Sequence, residues 1–203
     1  MANDCRNNLV VQNLTADEWE VLNKSFTKEE FPATFVPEPN TPDTDWRCEN
    51  WGTKWKVYDV GAESELGEFS PEGIFEVFFS TAWAPINERC LSKVSKAFPS
   101  ALFTLTYYEE NEGYVGVTLA KSGIAVDKTT GLSEVQNTWQ EENKGTISEL
   151  TEKHQDEDDL NDAIDELWHE SKEEELDKLF STYATLLKAD LDERLKQSEV
   201  SES

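Results

Sequence analysis

Few residues in this sequence have the types and spacing that chemistry requires. His154 and His169 stand among carboxylates towards the C-terminal end. An imidazole beside a carboxylate suits proton transfer or metal binding, but nothing else accompanies these two, and both read as exposed helix residues. The acidic runs Glu157, Asp158, Asp159 and Glu173, Glu174, Glu175 could hold a divalent cation. The D-x-[DN]-x-[DN]-G spacing of a calcium loop is missing from both. There is no G-x-S-x-G elbow, no phosphate-binding glycine loop and no H-E-x-x-H motif. Cys5, Cys48 and Cys90 contain no C-x-x-C pair, which fits reduced thiols better than a metal site. No catalytic residue, metal or cofactor is therefore assigned.

Aromatic side chains are the second resource. Trp46, Trp51, Trp55 and Trp83 fall between residues 46 and 85, and Trp19 is expected to pack beneath them. Trp51, Trp55, Trp83, Tyr107, Tyr108 and Tyr114 could stack nucleic-acid bases. The basic and glycine positions of an RNP motif have no counterpart in LFTLTYYEEN or YVGVTLA, and the turn between those runs is acidic. Core and partner packing is the expected role of these rings.

Charge excludes more than the motifs do. The 203 residues include 43 acids and 18 bases, a net charge of −25. That balance opposes direct binding of nucleic acid through its phosphates and adhesion to anionic membranes. It favours a basic protein surface, or one that normally holds a polyanion. No apolar run approaches the length needed to span a bilayer. The opening MANDCRNNLV lacks the pattern of a signal peptide, so a cytoplasmic protein is expected.

The elements that would position these residues follow from periodicity. Residues 8–12 (NLVVQ) read as a buried strand. Thr15 and Glu18 have capping-box spacing, and Trp19, Leu22 and Phe26 mark the buried side of a helix over 16–26. Four prolines in 27–45 exclude a helix there and predict a long loop. WGTKWKVYDV and residues 73–80 read as two antiparallel strands joined by a polar connection over 61–71. Ile86, Cys90, Leu91, Val94 and Phe98 predict a second helix, entered at Pro85. Strands over 102–108 and 114–120 follow, with a short hairpin into 124–126. The order is that of an α+β, ferredoxin-like antiparallel sheet with two packed helices.

Residues 139–203 then hold 21 acids and 7 bases. Thr146 and Glu149 repeat the capping-box spacing. Apolar residues from Leu160 to Leu195 recur mostly at three and four, which predicts one long amphipathic helix, or two broken near 171–175. The expected division is a ferredoxin-like domain over 1–127, an acidic helical extension over 128–197 and a disordered tail over 198–203. Partner binding is expected from Glu157, Asp158, Asp159, Asp162, Asp165, Glu166, Glu173, Glu174 and Glu175, with Trp168 beside them. A homodimer through the apolar stripe of that helix is a further expectation.

Four blocks carry a resemblance: ANDCRNNLVV at 2–11, ENWGTKW at 49–55, FFSTAWAP at 78–85 and YYEENEGYVG at 107–116. In this order they resemble phage and plasmid proteins with a YubB-type ferredoxin-like domain. The resemblance implies that fold and a mobile-element origin, and no general activity. Members commonly have a second proline after the tryptophan of the third block, where this chain has Ile86. The acidic helices are read as lying outside it.

Two functions follow as expectations. The first is a non-enzymatic phage- or plasmid-encoded interaction protein that imitates nucleic-acid phosphates and inhibits a host defence nuclease complex, CRISPR, restriction or similar. The second is a small nucleic-acid-processing accessory factor or enzyme with a cleft lined by Trp51, Lys54, Trp55 and Trp83.

Overall fold

The computed structural model describes residues 3–41, 43–61, 69, 71–154 and 156–201. β1 (Asp4–Gln12) alternates exposed and buried residues and leads into α1 (Ala16–Thr27). The capping box at Thr15 forms. Its hydroxyl accepts the Glu18 amide at 3.3 Å, and the Glu18 carboxylate accepts the Thr15 amide at 2.8 Å. The proline-rich loop packs down onto α1, with Phe31 stacked on Phe26 at 4.3 Å.

The loop ends in a helix that the sequence reading misses, α2 (Thr44–Trp51). Asp43 starts it by accepting the Trp46 amide at 2.6 Å. Gly52 ends it at φ +92. A Cβ at Gly52 would lie 2.5 Å from both the Asn87 nitrogen and the Pro85 oxygen, so the contact as well as the turn requires glycine. The strand expected over WKVYDV shrinks to one antiparallel bridge between Tyr58 and Ser80. Asp59 and Gly61, at φ 50 and 73, turn the chain away from longer pairing. Of the polar connection expected over 61–71, residues 62–68 and 70 lie outside the described residues.

β2 (Phe75–Ala82), α3 (Glu88–Ser95), β3 (Leu102–Glu109), β4 (Tyr114–Lys121) and β5 (Ile124–Gly131) follow. α3 starts three residues beyond Pro85, where Asn87 accepts the Cys90 amide at 2.8 Å. The five strands are antiparallel in the order β2-β1-β3-β4-β5. Tyr58 bridges to the free side of β2. Two crossovers therefore each straddle one strand, β1 to Tyr58 around β2 and β2 to β3 around β1. This is the β-α-β-β-α-β plan with its second strand reduced to a bridge and two strands added at the opposite edge. α1 and α3 cover one face over Leu9, Val11, Phe75, Val77, Phe103 and Leu105.

The other face is covered by the C-terminal third. β5 runs to Gly131, so the boundary expected at 127 falls inside a strand. α4 (Leu132–Glu142), α5 (Lys144–Lys153) and α6 (Glu157–Ser201) come next. α5 begins at Lys144 without a side-chain cap, which leaves Thr146 inside the helix and its expected capping box unused. α6 is continuous across 171–175 and reaches about 67 Å at 1.5 Å per residue. It stays helical through Ser201, so the tail expected from 198 is helix as far as it is described, and 202–203 lie outside the described residues. Leu187 and Leu191 pack on Val117, Leu119 and Val126. Trp168 and Leu176 pack with Val115, Val135 and Trp139. With helices on both faces, β4 is buried in both parities, which explains the near-continuous apolar run YVGVTLA.

Candidate functional site

The residues singled out for partner binding lie on α6, and the fold separates them cleanly. Asp158, Asp159, Asp162, Asp165, Glu166, Glu173 and Glu174 are exposed. Steps of three and four put them on one side of the helix, away from the stripe that meets the sheet. Glu157 is the first residue of α6. Glu175 is partly buried and lies 2.8 Å from Lys178, which also holds Glu174 at 3.0 Å. Trp168 is not on that surface. It is 5% exposed and its ring packs 5.3 Å from Trp139, because an indole at this position fills the gap between α4 and α6. The dimer expected through the apolar stripe would need Leu176, Leu187 and Leu191 free, and the chain's own sheet and helices cover all three.

Lys172 is the one base between 157 and 177, and it turns inward. Its ammonium bonds the Tyr108 hydroxyl and lies 2.7 Å from Glu110 on β3's exit. Burial pulls its pKa down, and the bonds to Glu110 and Tyr108 outweigh that, so the net direction is up. The bond to Lys172, then that to Tyr108, hold the Glu110 carboxyl below the usual range. This contact pins α6 to the sheet and leaves Lys178, which holds Glu174 and Glu175, as the helix's own cation at the end of that outer side.

Two clefts flank the sheet. The first, about 1040 Å³, lies between α6 and the part of the sheet that α6 leaves open, with Arg6, Asn8, Thr106, Tyr108, His169 and Lys172 in its lining. The second, about 930 Å³, lies on the α3 side over β3, β4 and β5. Tyr107 forms its floor by reaching sideways across Gly116, where a Cβ would meet the phenol oxygen at 2.3 Å. Its hydroxyl donates to Asp127 at 2.8 Å and touches Thr129 at 2.5 Å. Asp127 also accepts Thr118 at 2.6 Å and Thr129 at 2.9 Å. Burial, then the charge of Asp127, raise the Tyr107 pKa, so the phenol stays a neutral donor.

The aromatic centre divides between these settings. Trp51 is fully buried, and its indole donates to the Val36 carbonyl at 2.8 Å. Trp55 and Trp83 are each 43% exposed, with the Lys54 ammonium 5.4 Å and 4.1 Å from their ring centres. Tyr107 and Tyr108 face opposite sides of the sheet, so the six rings make no continuous stacking platform. The cleft expected from Trp51, Lys54, Trp55 and Trp83 keeps only Trp83, at the mouth of the 930 Å³ cleft. Burial pushes the thiols of Cys5 and Cys90 up to about 12, so both stay protonated at neutral pH. Among the described residues no group of three or more His, Cys, Asp or Glu is arranged to hold a metal ion. No described helix is long and apolar enough to cross a membrane.

The sequence reading did not find the Tyr107, Asp127 and Thr129 cluster. Its available signals were a glycine inside the strand YVGVTLA and a run of polar residues, 127–130, directly after Val126. The reading instead ended the strand at 126.

Sheet order and helix placement together define a ferredoxin-like domain with an added helical layer. The chain belongs to the family that has this domain. Residues 50–185, about two thirds of the sequence, match the family described as "Ferredoxin-like domain in Api92-like protein". The match starts after β1 and runs into α6, so the acidic helices fall largely within the family domain and not outside it as the four blocks suggested. No curated protein matches the chain. The crystal structure of protein api92 from Yersinia pseudotuberculosis is similar at 15% identity and a TM-score of 0.35. The match covers 45% of this chain and 30% of that one, so it spans under a third of that protein's length.

Proposed function

We propose that this chain is a non-enzymatic interaction protein that docks a basic surface of its partner onto the outer side of α6's first half. One observation supports the reading: a carboxylate face on a helix held rigid by its opposite side. Nine exposed carboxylates stand between residues 158 and 177, over about 30 Å of helix. That is roughly one negative charge per 3 Å, close to the 3.4 Å phosphate spacing of one B-DNA strand. A partner groove built for nucleic acid would meet a similar line of charge. In its finer form, the protein is encoded by a phage or plasmid and blocks a host defence nuclease complex by occupying its nucleic-acid groove. The test is capture from host lysate at low and high salt, then competition of the captured partner with DNA. DNA-competed, salt-sensitive binding is expected. A partner that binds DNA and this protein together, or binds equally at high salt, sinks the reading.

A second reading has one observation in its favour, the exposed Trp55 and Trp83, both within reach of the Lys54 ammonium. A nucleic-acid accessory factor could stack a base there. Polarisation of a labelled single strand tests it: binding that disappears in Lys54→Ala supports it, and no binding by the intact protein removes it.

A further inference from the structure

We propose that the cleft of about 930 Å³ on the α3 side binds an organic cation, the ammonium or guanidinium head of a free amine or of a lysine or arginine side chain. Its lining residues include the aromatic Trp83, Tyr107 and Tyr114 and the acidic Glu88, Glu112 and Asp127. Among the described residues no lysine, arginine or histidine lines it. Aromatic faces with carboxylates between them are the combination that favours an alkylated or delocalised cation, through ring quadrupole and charge together. The size suits a small ligand or the end of a long side chain.

The cleft is built rather than incidental. Asp127 takes hydroxyl bonds from Tyr107, Thr118 and Thr129, which fix its carboxylate while leaving the residue exposed. The Tyr107 hydroxyl reaches it only because position 116 is glycine. Tyr107 and Tyr114 meet edge to face at 6.3 Å. At the mouth, Trp83 has φ +71, which a bulky side chain rarely adopts. Its amide is bonded to the Asn3 carbonyl at 2.8 Å and its carbonyl accepts the Tyr114 hydroxyl at 2.6 Å. Those bonds hold an indole out at the rim. Lys54 lies over the same indole without lining the cleft, and an incoming cation meets the carboxylates beyond it.

This site is on the opposite face of the sheet from α6 and does not rest on the reading given for α6. The experiment is calorimetric titration of the full chain with agmatine, spermidine and a tri-arginine peptide. Saturable binding of at least one is expected. Asp127→Asn weakens it about tenfold with a slightly lower melting temperature but an unchanged circular dichroism spectrum, and Trp83→Ala weakens it about threefold with melting temperature unchanged. A control with Asp158, Asp162, Asp165 and Glu166 neutralised retains the affinity. Binding confined to the free amines identifies a small ligand, and tighter binding of the peptide identifies a side chain. No saturable binding by any of the three overturns the proposal. So does binding that survives both cleft variants, or that falls only in the α6 control.

Discussion

Between residues 157 and 177 α6 holds eleven acids and one base, and between 178 and 201 it holds four of each. Both halves bury a stripe: Trp168 and Leu176 in the first, Leu187 and Leu191 in the second. Their outer sides differ. In the second half Asp190 pairs with Arg194 at 3.0 Å one turn away. In the first half carboxylates follow carboxylates at four-residue steps, as in Asp158, Asp162 and Glu166, then Glu170 and Glu174. Each such pair costs a helix a few tenths of a kcal/mol. The helix dipole offsets this within the first turn only. Packing therefore accounts for the inner stripe of both halves, but it does not account for the charge of the first. The acid loading works against the helix that displays it, and this is why we assign the partner surface there.

The largest expected effect tests the anchor. Trp168→Ala removes a buried indole from the contact with Trp139 and should cost about 3–5 kcal/mol in a denaturant titration. Leu191→Ala, the matching change under the second half, should cost about 2–5 kcal/mol. If Trp168→Ala leaves stability unchanged, the first half is not held by the α4–α6 packing described above, and the rigid display fails with it.

The next effect concerns the outer side alone. Converting Asp158, Asp162, Asp165 and Glu166 to their amides removes four exposed charges. At about 0.2–1 kcal/mol for each surface pair lost, partner affinity should fall roughly four- to several-hundred-fold at low salt. Folding stability should hold or rise slightly, since the four-residue repulsions disappear. Neutralising Asp190, Asp192, Glu193 and Glu199 in the second half should leave affinity within about threefold, one weak surface pair. Equal losses from the two sets would erase the distinction between the halves.

How much of this was legible beforehand depended on whether a signal was local. Spacing alone located the inner stripe of α6, because 3.6-residue periodicity survives whatever it packs against. Thr15 and Glu18 located the start of α1 in the same way. α2 was missed although Asp43 and Gly52 bracket it, because the prolines before it dominated the reading of that stretch. WKVYDV has a strand's composition yet pairs at Tyr58 alone, since the positive φ values at Asp59 and Gly61 are not written in composition. Trp168 looked like a docking residue for want of its partner: Trp139 lies 29 positions earlier, and only the reversal of the chain through α5 brings the indoles together. The Tyr107, Asp127 and Thr129 cluster is cross-strand by nature. It depends on Tyr107, Gly116 and Thr129 falling in one row of the sheet, and register is not set by any one strand.

The smallest expected effect concerns Lys172, the single base of the first half. Its bonds to Glu110 and Tyr108 should show as pH dependence. The bond to Lys172 lowers the Glu110 pKa in the fold. A carboxyl lowered on folding stabilises above its unfolded pKa, and that contribution is lost as pH falls through the folded value. Lys172 shifts the other way. A lysine raised on folding stabilises below its unfolded pKa and loses this as pH rises through the folded value. The pair therefore contributes a plateau between the acid and the alkaline limb. Glu110 is 59% exposed, so solvent screens the plateau and keeps it low. Lys172→Met keeps an unbranched apolar stem and removes the ammonium that lies over the Tyr108 ring. Its denaturant midpoint should fall relative to the parent at neutral pH, and the difference should narrow below the carboxylate range. A difference that stays constant from pH 7 to pH 3 would mean that Lys172 holds α6 by packing alone. The first half would then be acidic on its outer side with no charged tie to the sheet beneath.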